Sequence, residues 1–332
     1  AYRLSGDVRY AEGCRTLLLS WCEHCPYPLG PNWTSALEHA VRLANWAVAW
    51  QLLGGEKSPM FEGAAGAEFR RGWLESIYLH CHFIAGHFSR YSSANNHLFG
   101  EYMGLYIAAL NWPCWKQSAR WRDLAMIGLE KEARKQNAPD GVNREQATWY
   151  HHEVADMMLL CGLFGRASGY EFSARYWKRL EAMLGFIAAI MDVSGQVPMI
   201  GDADDAVMVR FSQEAGFNPY RSLLATGAVL FGRTDFALKA RRCDDKTRWL
   251  LGETGSRIFG QLRQPERERW ATRRAFPTGG YYILGDQLDT PREIRLVVDA
   301  GPLGFLSIAA HGHADALAFT LSAAGRELLI DP

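Results

Sequence analysis

Two histidines and an aspartate stand at alternate positions near the end of the chain: His311, His313 and Asp315. Alternate side chains share one face of an extended strand, so this spacing gathers two imidazoles and a carboxylate on one surface. Imidazole transfers protons near neutral pH and also binds metal ions. The stretch therefore predicts a catalytic or metal site at the mouth of a sheet, or a pair of histidines hydrogen-bonded inside a β-domain.

A second polar group opens a predicted helix at about 146–164. Gln146, Tyr150 and Glu153 follow one another at spacings of four and three residues, which places them on one helix face. His151 and His152 stand beside the tyrosine, so the segment suggests proton transfer, with a core tyrosine as the alternative. Two adjacent histidines and a glutamate do not form the HExxH motif of zinc proteases here, since no second histidine follows at that spacing.

A third polar group, Ser92 to His97, lies at the start of another predicted helix and is followed by Glu101. Serine and asparagine are favoured helix caps, which is one explanation of the group. The start of a helix also presents free amide donors and positive partial charge, so Asn96 and His97 could bind and neutralise a carboxylate. The acidic stretch 201–205 resembles a calcium loop only faintly and is predicted to be a solvated turn.

Long amphipathic helices must position these residues, and apolar residues recur at helical spacing in six segments. The predicted helices lie at about 34–53, 68–87, 96–110, 115–135, 146–164 and 170–191. Short polar or glycine-containing connections join them, which favours serial antiparallel hairpins of an α/α toroid or solenoid. The first 30 residues are predicted to be irregular.

Short β-like runs replace the helical pattern after about residue 236. Runs at 280–284 and 294–299 are separated by turn residues, and runs at 316–322 and 326–330 flank Ala324-Gly325, which is typical of a hairpin. The predicted fold class is α+β, with an N-terminal (α/α) toroid at residues 1–230 and the start of an antiparallel β-sandwich at 231–332. The small sheet would have an open edge, so we expect the chain to stop before the natural domain does.

Composition excludes some classes of protein. The 332 residues include 36 basic and 36 acidic side chains, so the formal net charge is zero, unlike that of a dedicated nucleic-acid binder. No apolar run is long enough to predict a transmembrane segment. The opening residues do not form a signal peptide. The seven cysteines are odd in number and scattered, so they give no support for disulfides.

Three segments together resemble the heparinase II/III-like polysaccharide lyases, which are related to oligoalginate lyases. They are NNHLFGEYMGLYIAAL (95–110), EQATWYHHEVADMMLL (145–160) and HGHADALAFTLSAAGRELLIDP (311–332). Their order and the spacing of Asn96 and Tyr150, 150 − 96 = 54, are similar to the family pattern. The resemblance implies an incomplete (α/α) toroid followed by antiparallel sheets, and β-elimination at a uronic acid of an acidic polysaccharide.

The resemblance also implies roles for particular residues. Asn96, helped by His97, matches the group that neutralises the uronate carboxylate. Tyr150 matches the catalytic tyrosine, which acts as the acid and, on some substrates, as the base too. His311 matches the histidine that acts as base on the opposite C5 configuration. Substrate contacts are expected from His97, Gln146 and His151. We expect Asn96, Tyr150 and His311 to converge on one cleft between the two domains.

Some members of this family hold a structural zinc ion in the β-domain. His313 and Asp331 match two of its ligands, and the third would lie beyond Pro332. A regular hairpin would place Asp331 opposite about Leu317, so the chain must bend near Asp315 for both ligands to reach one ion. Asp315 itself receives no chemical role from the resemblance.

Two alternatives to a lyase remain open at this point. A glycoside hydrolase on an α/α barrel would need a pair of carboxylates, and the available acids, Asp202, Asp204 and Glu101, form no convincing pair. A carbohydrate-binding or exopolysaccharide-assembly protein would keep the fold without turnover. A periplasmic or secreted location is expected from the family and its polymeric substrate, while the oligomeric state is not predicted.

Overall fold

A computed structural model describes residues 1–204, 206–263 and 271–331. Helices occupy the chain up to residue 262 and strands follow, which confirms the predicted α+β class. The helices are α1 Tyr2–Ser5, α2 Val8–His24, α3 Ala36–Leu52, α4 Gly63–Gly86, α5 Asn96–Asn111, α6 Ser118–Lys135, α7 Thr148–Ala167, α8 Ala174–Ile190, α9 Pro219–Phe231, α10 Thr234–Ala240 and α11 Asp245–Leu262. Within the described ranges, no helix combines the length and the apolar character needed to cross a membrane.

The chain divides into two compact units, Ala1–Leu129 and Glu130–Pro332. In the first unit, α3 packs closely against α5 at Gly104, where an added Cβ would lie 2.3 Å from the Cα of Ala40. This contact requires a glycine, because protein interiors leave no room for an extra methyl group at such a distance. It fixes the position of α5, whose first turn carries Asn96 and His97.

In the second unit, α7 is buried along most of its length. Its start is tied to the following loop, because the Thr148 amide donates to the carbonyl of Ile200 at 2.9 Å and the Thr148 hydroxyl donates to the carbonyl of Pro198 at 2.8 Å. These bonds satisfy groups at the helix start that have no partner within the helix. They also hold loop 198–202 beside Tyr150.

The second unit ends in one antiparallel sheet with strand order β1-β2-β3-β4-β5. The strands are β1 Ala275–Phe276, β2 Tyr281–Asp286, β3 Ile294–Asp299, β4 Phe319–Ala323 and β5 Arg326–Leu329. The predicted terminal hairpin is confirmed: Ala323 pairs with Arg326, and Ala324 and Gly325 take the positive φ values of 50° and 75° that a tight turn needs. One face of the sheet buries Phe276, Tyr281 and Ile283.

Three expectations about elements were wrong. The first 30 residues are largely helical, because α2 covers Val8–His24. Helices α10 and α11 occupy the part of the chain after residue 236 that was predicted to be β-like. Residues 311–315 form a loop, with His311 at a φ of 73°, and so do not alternate along a strand. The domain boundary near residue 230 stays a prediction.

Candidate active site

Tyr150 and His311 form a stacked pair in the second unit. Their ring centroids lie 3.6 Å apart, with an angle of 18° between the ring planes. Tyr150 lies in the first turn of α7, and His311 lies in the loop between β3 and β4. The sequence therefore brings a phenol and an imidazole, both able to transfer a proton, into direct contact.

The imidazole of His311 is flanked by two carboxylates. Its Nδ1 lies 3.2 Å from Oδ2 of Asp202, which is within hydrogen-bond distance, and its Nε2 lies 3.8 Å from Oε2 of Glu145. Glu145 is fully buried, whereas the Asp202 side chain is half exposed. The backbone contributes as well, because the Asp202 amide donates to the carbonyl of His311 at 2.8 Å.

The hydroxyl of Tyr150 stays protonated at neutral pH. Burial, and then the negative charges of Asp204 and Glu153, raise the pKa of Tyr150 to about 12. A neutral phenol can donate a proton, and it can act as a base only after losing its own. This environment favours Tyr150 as the acid of the pair.

Glu153 is a buried carboxyl group one turn after Tyr150 on α7. Burial, and then the charge of Asp204, raise the pKa of Glu153 to about 8. The indole nitrogen of Trp149 donates a hydrogen bond to Oε1 of Glu153 at 3.1 Å. Spacing predicts that Gln146, Tyr150 and Glu153 share a face, but Gln146 precedes α7 and has a φ of 58°, so it lies outside that helix face.

Gln146 and His151, two of the expected substrate contacts, are both buried. The Gln146 amide nitrogen donates to the Gly279 carbonyl at 3.3 Å, and its Oε1 has no hydrogen-bond partner among the described residues. His151 accepts from the Asn143 amide at 3.2 Å and contacts the Met183 carbonyl at 3.1 Å. Burial lowers the pKa of His151 to about 4. Both ring nitrogens of His151 therefore have partners in the core, and the expected substrate contact from His151 stays a prediction.

His313, Asp315 and Asp331 form one cluster, in which a ligand atom from each lies within 4.8 Å of the others. The bend predicted near Asp315 is present, since Leu317 takes a φ of 68° before β4 begins. Asp315 is buried, and its Oδ2 has no hydrogen-bond partner among the described residues. Burial, and then the charge of Asp331, raise the pKa of the Asp315 carboxyl. One imidazole and two carboxylates, one with an unsatisfied oxygen, fit the donor set of a zinc ion.

Asn96 and His97 lie in the first turn of α5, in the first unit. The side chain of Asn95 caps this helix by accepting from the His97 amide at 3.2 Å. Asn96 is therefore a helical residue rather than the cap, and it is 1% exposed. Glu101 accepts from the amide and the hydroxyl of Ser89, at 2.7 and 2.6 Å. Convergence of Asn96 with Tyr150 and His311 stays a prediction.

Sequence reasoning did not identify Asp202 and Glu145 as neighbours of His311. Asp202 belongs to the stretch 201–205, which was predicted to be a solvated turn, and its companion Asp205 lies outside the described residues. Glu145 directly precedes Gln146 and so adjoined a segment already singled out. The polarity of both segments was visible, but their contact with a residue at position 311 depends on the fold.

Family models match most of the chain. The model described as Heparinase II/III N-terminus matches residues 1–223, and the one described as Heparinase II/III-like, C-terminal matches residues 269–332. Heparin-sulfate lyase of Pedobacter heparinus is 26% identical over 211 residues, covering 61% of this chain and 30% of the relative. Heparin-sulfate lyase of Bacteroides thetaiotaomicron is 27% identical over 158 residues, covering 46% of this chain and 21% of the relative.

Solved structures share the fold. A crystal structure of heparan sulfate lyase from Pedobacter heparinus matches 99% of this chain and 46% of its own, with a TM-score of 0.61 and 21% identity. A crystal structure of heparinase III matches 99% of this chain and 48% of its own, with a TM-score of 0.68 and 19% identity. At these identities the likeness establishes architecture, a helical toroid followed by a β domain. The chain spans about half the length of these structures.

Proposed function

Because the chain belongs to the heparinase II/III family, we propose that it is the catalytic part of a polysaccharide lyase. Its substrate is an acidic polysaccharide that contains uronic acid, and its reaction is β-elimination. The observation that carries this proposal is the stacked pair of Tyr150 and His311, with a carboxylate at hydrogen-bond distance from His311. The relatives are named heparin-sulfate lyases, so a glycosaminoglycan is the first substrate class to test.

The proposed reaction removes the C5 proton of a uronate and expels the glycosidic oxygen at C4. His311 takes the C5 proton, and Tyr150 gives its hydroxyl proton to the departing oxygen. The electron pair of the C5–H bond forms the new C4–C5 double bond as the C4–O bond breaks. The positive charge that develops on His311 faces Asp202 and Glu145, whose carboxylates stabilise it.

The uronate carboxylate needs its own stabilisation. Charge spreads onto it when the C5 proton leaves, so a donor that neutralises the carboxylate lowers the barrier. Asn96 is assigned this role with His97, at the positively polarised start of α5. A substrate contact from Gln146 is kept as part of the proposal on the strength of the family resemblance alone, since its side chain is buried.

A zinc ion would be held by His313, Asp315 and Asp331. When bound, such an ion supplies structural cross-linking between the β3–β4 loop and the end of β5, with no part in proton transfer. The protein residues alone account for the proposed acid, base and neutralising groups. A polymeric substrate of this kind also favours the expected periplasmic or secreted location.

Incubation with a panel of uronate polymers tests the proposal. Heparan sulfate, alginate and bacterial exopolysaccharides should be compared by ultraviolet absorbance, since elimination creates a conjugated, unsaturated uronate. We expect at least one glycosaminoglycan to give this signal. Cleavage with new reducing ends and no absorbance would indicate a hydrolase instead, and binding without cleavage would indicate the non-catalytic carbohydrate-binding alternative.

A further inference from the structure

The carboxylate of Asp202 contacts two imidazoles at once. Its Oδ2 lies 3.2 Å from Nδ1 of His311, and its Oδ1 lies 3.2 Å from Nε2 of His313. Both distances are compatible with hydrogen bonds. Each carboxylate oxygen thus contacts one histidine. The Asp202 side chain therefore links His311, the proposed base, to His313 of the candidate metal cluster.

Further contacts hold this carboxylate in place. Nδ1 of His313 lies 2.9 Å from Oδ2 of Asp331, and the same oxygen accepts from the amide of Gly201 at 2.9 Å. Gly201 directly precedes Asp202 in the chain. The contacts therefore close a ring that runs from Asp202 to His313, on to Asp331, and back through the Gly201 backbone. This ring orients the Asp202 side chain even though that side chain is half exposed.

Gly201 allows the close approach that this arrangement needs. It has a φ of 73°, and a Cβ at this position would lie 2.6 Å from the carbonyl oxygen of His311. Only glycine adopts this conformation without strain and leaves room for that carbonyl. Loop 198–202 therefore contacts His311 in two ways: the Asp202 amide donates to the His311 carbonyl, and the Asp202 carboxylate contacts the His311 ring.

We infer that Asp202 is a positioning residue, which fixes the orientation and the tautomer of His311. A carboxylate accepts hydrogen bonds, so it selects the form of the ring that carries its proton on Nδ1. Nε2 is then unprotonated, and at 3.8 Å from Glu145 it makes no hydrogen bond to that carboxylate. The catalytic consequence, a base ready at Nε2, rests on the proposed function, whereas the tautomer does not.

Nuclear magnetic resonance of protein labelled with 15N-histidine tests the tautomer directly. Long-range proton–nitrogen spectra distinguish the two neutral forms of each ring, and the His311 signal is identified by its absence from His311→Ala. At a pH where the ring is neutral, we expect the Nδ1–H form to predominate in the wild type and to decline in Asp202→Ala. Asp202→Asn keeps one acceptor oxygen and should retain more of that form than Asp202→Ala.

Asp204→Ala is the matched control, since it removes a carboxylate from the same loop, and among the described residues this carboxylate makes no hydrogen bond to His311 or His313. It should leave the His311 tautomer unchanged. The inference is overturned if wild-type His311 carries its proton on Nε2. It is also overturned if Asp202→Ala has no effect, or if Asp204→Ala has an equal one.

Steady-state kinetics give the second readout. We expect kcat to fall about 10- to 100-fold in Asp202→Ala at nearly unchanged KM, with Asp202→Asn between that variant and the wild type. A fall in kcat/KM caused by KM alone would contradict positioning of the base. If no uronate polymer is cleaved by the wild type but the tautomer responds to Asp202, the proposed function fails and the positioning role stands.

Discussion

At the scale of single residues, the chemistry depends on an acid and a base whose surroundings differ. Burial, and then nearby carboxylates, keep the hydroxyl of Tyr150 protonated, whereas His311 has a carboxylate on each side of its ring. In the proposed reaction the neutral phenol donates a proton, and the carboxylates beside His311 stabilise the charge that the imidazole gains.

Tyr150→Phe should abolish the proton donor while keeping the ring that stacks on His311. We expect turnover to fall about 10²- to 10⁴-fold, the usual contribution of a general acid, with an unchanged melting temperature. Formation of unsaturated uronate measures the first quantity and a thermal melt the second. Activity close to that of the wild type would remove Tyr150 from the mechanism.

Glu153→Gln should make the protein less sensitive to alkaline pH. The folded-state pKa of about 8 lies above the ordinary value of 4.5, so the folded protein keeps a proton that the unfolded chain releases. Wild-type stability contributed by this group is therefore present below about pH 4.5 and is lost as the pH rises to about 8. Glutamine has no proton to lose.

Thermal melts at pH 5 and pH 8.5 check this prediction. The melting temperature of Glu153→Gln relative to the wild type should be higher at pH 8.5 than at pH 5. Each pKa unit corresponds to about 1.4 kcal/mol, so the change in the free energy of unfolding is on the order of a few kcal/mol. An equal difference at both pH values would show that Glu153 has no raised pKa.

At the scale of elements, periodic segments were predictable and weakly periodic ones were not. Helices α3 to α8 follow from apolar residues at helical spacing, because each buries a face. Helix α2 was missed, since only Ala11 and Leu18 are buried among its 17 residues and its pattern gives little periodic signal. Tertiary contacts, which the sequence pattern does not show, stabilise such a helix.

The site was predictable only in part for the same physical reason. Tyr150, His311, His313 and Asp331 were visible as chemical residues in polar segments. The contact between His311 and Asp202 joins residues 109 positions apart, through a loop whose positive φ at His311 breaks the alternation expected of a strand. Local patterns specify local structure, whereas this contact depends on how α7 and the sheet pack.

Gly104→Ala should destabilise the contact between α3 and α5. The added Cβ would lie 2.3 Å from the Ala40 Cα, so backbone must move, at a cost of about 1–3 kcal/mol. Gly72→Ala is the matched control, because Gly72 lies in α4 with nothing within 4 Å of its Cβ position. It should be neutral or stabilising by up to about 1 kcal/mol.

Chemical unfolding measures both variants. A loss of stability in Gly104→Ala with none in Gly72→Ala supports the close packing of these helices. Equal behaviour of the two variants would contradict it, since both substitutions have the same intrinsic effect on helix formation.

Asp315→Asn should weaken zinc binding by the dialysed protein at least about tenfold. Its buried Oδ2 has no partner among the described residues, and an amide is a poorer zinc ligand than a carboxylate. Asp286→Asn on β2 is the control and should bind zinc like the wild type. Equilibrium dialysis with metal analysis checks the prediction, and unchanged binding in Asp315→Asn would exclude Asp315 as a ligand.

At the scale of the whole molecule, the residues proposed for catalysis are spread over most of the chain. Tyr150 and His311 lie in the unit Glu130–Pro332, and Asn96 lies in the unit Ala1–Leu129. The family models, which match residues 1–223 and 269–332, include all three residues.

Asn96→Ala tests the neutralising role proposed for Asn96. We expect kcat/KM to fall about 10²- to 10³-fold, as for loss of one donor to a developing anion. Asn111→Ala, at the other end of α5, should retain activity. If Asn96→Ala is folded and as active as Asn111→Ala, the neutralising role belongs to another residue.

Cleavage of a uronate polymer in water enriched in 18O tests the central claim most directly. Elimination divides the chain without adding water, so β-elimination by His311 and Tyr150 predicts products to which no water has been added in the cleavage step, one of which carries an unsaturated uronate. Mass spectrometry should find fragment masses that sum to the mass of the substrate. Incorporation of one solvent oxygen per cleavage, without an unsaturated end, would show hydrolysis and contradict the lyase assignment.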